Sequence, residues 1–145
     1  MAKNRGGTES LTRKIKALQE VKRTIPDKLA SQGLAFFKKT FENEGFEDNN
    51  FQPWPRRKSI KQTHPILKKT GALKRSLVVE RKSFDKIIWS SSLPYSAIHN
   101  YGGNGLAWGK HPFKMPKRKF IGDSKSLRMG FRRRIEVEVN RAMKA

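Results

Sequence analysis

Cysteine is absent from this chain of 145 residues, which excludes a disulfide framework and any thiolate-ligated metal site. Histidine is scarce: His64, His99 and His111 lie far apart, and none has a partner at metal-ligand spacing. Acidic side chains number 12 against 33 Lys and Arg, which leaves little for paired-carboxylate catalysis. No apolar run approaches the roughly 18 residues that would suggest a bilayer span. The opening Met-Ala-Lys-Asn-Arg-Gly-Gly lacks the apolar core of a secretory leader. These absences predict a soluble protein, cytoplasmic where it is made, with no cofactor, no metal and no membrane partner.

What is abundant is positive charge, a formal +21 with a sequence pI near 10.8. A surface this basic favours polyanions: nucleic acid, a membrane surface or an acidic protein. The charge is uneven. Residues 51–75 carry +8 and no acid, whereas the preceding stretch holds Glu42, Glu44, Glu47 and Asp48. Such alternation suits head-to-tail contact between identical subunits, or equally two solvated faces. The length predicts one domain, 1–145, with residues 1–8 disordered.

Helical spacing of Leu11, Ile15, Leu18 and Val21 predicts a first helix over about 9–23. Pro26, with Thr24 as cap, predicts the start of a second helix carrying Leu29, Phe36, Phe37 and Phe41 and stopped at Gly45. The two make 9–46 helical. Residues 47–66, with Asn-Asn and three prolines, read as a loop. Trp54 inside it is expected to tuck into the core edge, the alternative being an exposed anchor. Residues 67–123 are expected to hold a sheet and a short helix. Two β-rich runs around Ser83-Phe84-Asp85 predict a hairpin at about 76–91. Pro94 is expected to open a short helix through Tyr101, with Tyr95, Ile98 and Tyr101 on one face. Gly102-Gly103 ends it, and a Gly-rich loop carrying Trp108 follows. Lys119-Phe120-Ile121 reads as a third short strand. Asp123 or Ser124 caps a last helix within 124–145, with Leu127, Phe131, Ile135 and Val139 inward. The class is α+β, a small bent antiparallel sheet flanked by N-terminal helices and a C-terminal helix.

Chemistry-bearing patterns are sparse. Ser96 and His99 sit three apart, but no nucleophile elbow surrounds Ser96. Gly102-Gly103-Asn104-Gly105 lacks the Gly-Lys-Ser/Thr ending of a phosphate loop. Arg132-Arg133-Arg134 fans around a helix and cannot form one stripe. No enzymatic activity is expected.

Several short motifs follow one another along the chain: Trp54-Pro55; Ile66-Leu67-Lys68-Lys69-Thr70-Gly71-Ala72-Leu73-Lys74-Arg75-Ser76; Tyr95 to Gly102; and Met115 to Gly122 with Pro116, Arg118, Phe120 and Ile121. Over roughly 30–140 this order resembles the virion morphogenesis or tail completion family of tailed bacteriophages, related to neck and head–tail joining proteins. Lys117, Lys119 and Ser96 depart from its usual residues. The resemblance implies a non-catalytic structural subunit that forms rings. Its partners would be neck, portal-side or tail-tube proteins, with non-specific contact with packaged DNA an option. It would act in the host cytoplasm during assembly and remain in the tail or neck of the virion. The alternative is a sequence-independent nucleic-acid-binding protein. The expected assembly or family-motif positions, with packing inside the chain as the alternative at each, are Trp54, Thr70, Gly71, Leu73, Tyr95, Ile98, His99, Gly102, Pro116, Arg118, Phe120 and Ile121. Arg118 is expected to fork onto a carbonyl or carboxylate. The basic partner contacts would be Arg56, Arg57, Lys58, Lys68, Lys69, Lys117 and Lys119.

Overall fold

A computed structural model describes residues 5–59 and 61–145 of the chain. It is α+β, as the sequence predicts, with helices at both ends and three antiparallel ribbons between them. Residues 1–4 of the segment expected to be disordered lie outside the described residues. Residues 5–8 are helical, which corrects that expectation.

The two expected N-terminal helices are one, α1, Arg5–Asn43, with Pro26 inside it. A proline inside a helix removes one backbone bond and costs about 3 kcal/mol. Burial of Ile25 and Ala30 on either side of Pro26 offsets that loss. The Thr24 hydroxyl does not cap a new helix; it donates back to the Glu20 carbonyl at 3.0 Å. Helix α1 ends at Asn43. Glu44 takes the positive φ of the stop (50°), and Gly45 passes into the next strand.

The region expected to be a loop at 47–66 contains a short ribbon, β1 (Gly45–Glu47) and β2 (Phe51–Pro53), paired in register Phe46↔Gln52. A short helix, α2 (Ala72–Ser76), follows Gly71 and leads into the next strand. Strands β3 (Leu77–Lys82) and β4 (Ile87–Ser91) form the predicted hairpin, with Glu80 bulged out of register. The short helix α3 spans Ser96–Tyr101. A third ribbon, β5 (Gly103–Ala107) with β6 (His111–Met115), occupies the stretch expected to be a Gly-rich loop. The expected single bent sheet is therefore three separate two-stranded ones.

Helix α4 spans Lys125–Met143. The Ser124 Oγ accepts from the Leu127 N–H at 3.1 Å and donates to the Glu47 carbonyl at 2.6 Å, so the cap also fastens α4 to β1. Asp48 completes the helix start, with its carboxylate accepting from the Lys125 N–H at 2.9 Å. A carboxylate there also complements the helix dipole. Leu127 is buried and Phe131 packs at the core margin, but Ile135 is exposed and Glu138 is buried in its place. The α1 side chain Lys28 pairs with Glu138 at 2.9 Å, and this contact holds the carboxylate below its usual range.

The core joins α1, α2, β1, β3 and α4 through Phe37, Phe41, Phe46, Leu73, Leu77 and Leu127, together with Trp54, Ile66 and Phe120 from the connecting segments. Trp89 lies against α1 and donates its indole N–H to the Ala30 carbonyl at 3.0 Å. Gly33 makes this possible: a Cβ there would stand 2.4 Å from the Trp89 ring. That close approach accounts for a glycine in mid-helix, where it costs about 1 kcal/mol relative to alanine.

Candidate functional site: the motif junction, its hairpin and the basic groove

Lys119-Phe120-Ile121, expected to form a third short strand, lie in the stretch 116–121. They form none, because their hydrogen bonds go to side chains and loops. The Asn100 Oδ1 on α3 accepts from the Phe120 N–H at 2.9 Å and the Ile121 N–H at 3.1 Å. The Arg118 N–H donates to the His99 carbonyl at 2.8 Å. On the other side, the Trp54 indole donates to the Lys119 carbonyl at 2.8 Å. The Arg118 guanidinium forks onto the Pro55 carbonyl through Nε and Nη2, at 3.0 and 2.8 Å. The Trp-Pro, Tyr-to-Gly and Met-to-Gly motifs thus meet in one place, laced by bonds that saturate buried backbone groups.

Trp54, Phe120 and Leu73 are core residues there, and the Phe41 ring lies 5.6 Å from Trp54 and 5.2 Å from Phe120. Ile98 and Ile121 are half-buried. Of the three residues grouped on one face of α3, Tyr95 and Tyr101 are exposed, and Asn100 is the residue turned in. Asn100 is the residue that sequence reasoning missed. An asparagine inside a helix has no local reason to be there, and that was the available signal. Thr70 is exposed and its Oγ1 accepts from the Ala72 N–H at 3.3 Å, within the turn that leads through Gly71 into α2.

Gly102 marks where the β5–β6 hairpin leaves the junction. Its φ is 70°, and a Cβ would meet the Lys117 nitrogen at 2.9 Å and the Met115 carbonyl oxygen at 3.0 Å. The two feet of the hairpin are pinched together at a point only glycine fits. Beyond it the ribbon is exposed along most of both strands. Leu106 and Phe113 are exposed, and Trp108 at the tip is 91% exposed.

Below the hairpin are two adjoining concavities of about 490 and 470 Å³ that share Arg57, Gln62 and Arg118. The first also takes in His64, Lys69, Tyr95 and His99. The second takes in Lys58, Ser59, Lys114 and Pro116. Among the described residues lining either, none is acidic. Burial, and then the Arg118 charge, push the His99 imidazole below its usual pKa. Arg118 is itself pushed down by burial and then by Arg57. The Ser96 hydroxyl donates to the Leu93 carbonyl at 2.7 Å.

The basic residues divide into two sets. Arg56 pairs with Glu44 at 2.9 Å, Lys68 pairs with Glu42 at 2.9 Å, and Lys119 donates to the Asp123 carbonyl at 2.9 Å. Lys74 also binds Glu42, and the two lysines draw its pKa down to about 2. The acidic stretch is therefore used within the chain: Glu42 and Glu44 by lysines and Arg56, and Asp48 by the start of α4. That weakens the expected head-to-tail pairing of acidic and basic blocks between subunits. Arg57 is held by the Gln62 carbonyl at 3.2 Å and His64 Nδ1 at 3.0 Å. Lys58, Lys69 and Lys117 have no carboxylate partner among the described residues.

The profile of the phage virion morphogenesis family matches residues 6–139, reaching further toward the N-terminus than the motifs do. No curated protein and no solved structure matches the chain. The chain belongs to the phage virion morphogenesis family, which gives it a structural or assembly role in making the phage particle.

Proposed function

We propose that this family member is a structural part for tail completion or head–tail joining, acting by contact between proteins and without turnover. It assembles as a ring of identical copies in the host cytoplasm and stays in the tail or neck of the finished particle. Its neighbours are neck, portal-side or tail-tube proteins. The observation that carries the reading is the exposed hairpin held out by the motif junction. A monomeric surface has little use for a tryptophan 91% exposed beside exposed Leu106 and Phe113. Aromatic anchors of this kind dominate protein interfaces. The Ser96 hydroxyl is engaged with the Leu93 carbonyl, which favours contact over catalysis.

The test is complementation of a phage whose copy of this gene is disrupted, followed by electron microscopy of the products. The double variant Leu106→Ser/Trp108→Ser is expected to be soluble and folded yet to leave unfinished tails, or filled heads and complete tails unjoined. The first outcome assigns tail completion and the second assigns joining. Normal particles in normal yield would overturn the proposal.

A further inference from the structure

We propose that the groove between residues 55–59 and the Lys114–Arg118 segment is a binding site for the phosphodiester backbone of nucleic acid. The proposal does not depend on the joining role. Its first support is the set of groups that line the groove. Arg57, Lys58, Ser59, Gln62, Lys114 and Arg118 are all donors of the kinds that contact phosphate oxygens. The apolar contributions come from Pro55 and Pro116, with no large aliphatic or aromatic anchor. A protein partner would need such an anchor, whereas a phosphate backbone would not. This favours nucleic acid over an acidic protein.

The second support is that the groove is built and charged before any ligand arrives. Arg118 is buried and fixed by its fork on Pro55, and Arg57 is fixed by Gln62 and His64. Two guanidiniums are thereby held near each other with no carboxylate among the described lining residues. Burial first, and then the Arg57 charge, lower the Arg118 pKa, and the second of these causes is that repulsion. An anion between them relieves it. The third support is that the chain's acids are largely consumed inside it: seven of them form ion pairs, Glu20, Asp27, Glu42, Glu44, Asp123, Glu136 and Glu138. A second copy therefore offers the groove little negative surface.

The experiment measures anisotropy of a fluorescein-labelled DNA duplex of random sequence with the purified full chain, between about 50 and about 200 mM salt. Lys58→Gln/Lys114→Gln removes two groove cations whose side chains hold no ion pair among the described residues. The control Arg13→Gln/Lys16→Gln removes the same charge from the exposed N-terminal part of α1. Both variants are checked for unchanged thermal unfolding. The groove variant is expected to bind about tenfold more weakly and to lose about two from its salt slope, one per phosphate contact. The control is expected to shift affinity by less than about threefold, through long-range charge alone. Equal losses in the two variants, an unchanged slope in the groove variant, or no binding by the unaltered chain would each overturn the site. So would displacement of the duplex by poly-glutamate as effectively, charge for charge, as by unlabelled DNA, which would make an acidic protein the ligand.

Discussion

The junction at residues 116–121 and the β5–β6 hairpin that leaves it are neighbours in sequence and opposites in construction. In the junction, side chains do the work of a missing strand. Asn100 takes two backbone N–H groups, Arg118 and Trp54 take two carbonyls, and Phe120 is fully buried. In the hairpin the bonds run mainly from one strand to the other, and the side chains face solvent. A lone two-stranded ribbon is marginal in water. The motif positions that carry the resemblance are thus mostly buried or half-buried. They hold a surface whose own sequence they do not dictate. Trp54, Leu73 and Phe120 pack in the core, as the tucked reading of Trp54 expects, while exposed Leu106, Trp108 and Phe113 lie between the motifs.

The contrast can be broken most severely at Phe120. Phe120→Ala should cost about 3–5 kcal/mol, enough to unfold a marginally stable domain, as read by urea denaturation. Asn100→Ala comes next. It leaves the Phe120 and Ile121 N–H groups without their acceptor, at about 1–3 kcal/mol for each buried group. The same denaturation series should place it below Phe120→Ala or beside it, and well above any hairpin change. Trp108→Ser should move stability by no more than about 0.5 kcal/mol, as expected of an exposed side chain, while particle assembly fails. A loss above about 2 kcal/mol at Trp108 would mean that the hairpin is packed and the contrast false.

How much of this was legible in the sequence follows the same division. Local signals carried well: the β3–β4 hairpin, the Ser124 cap and the fork of Arg118 each follow from neighbouring residues or from the chemistry of one side chain. What failed was decided by tertiary packing. Pro26 reads as a helix start until the burial of Ile25 and Ala30 is known. The Asn-Asn and Gly-rich stretches read as loops because ribbons this short show no alternation to detect. Lys119-Phe120-Ile121 has the composition of a strand but no strand lies beside it, and Asn100 supplies the acceptor instead. On α4 the pairing with Lys28 buries the Glu138 carboxylate, whereas Ile135, which the spacing turned inward, is exposed.

The smallest expected effect concerns acid. The Glu42 pKa is lowered from 4.5 to about 2 by Lys74 and Lys68. A carboxylate depressed in the folded state stabilises above its unfolded pKa, and that contribution is lost as pH falls through the folded value. Stability should therefore drop between about pH 4.5 and about pH 2. Glu42→Gln should flatten this decline modestly, since the pair is half exposed and screened. An unchanged acid profile would show that the lysine contacts add nothing measurable.

The most direct measurement is hydrogen exchange on the free chain and on the same protein in purified particles. The Phe120 and Ile121 amides should be protected in both. The amides of β5 and β6 should exchange quickly in the free chain, because an isolated ribbon opens readily, and become protected in the particle. If the hairpin exchanges as fast in the particle as in the free chain, it is not the contact surface. The division between an interior made of motifs and an exterior that joins would then be wrong.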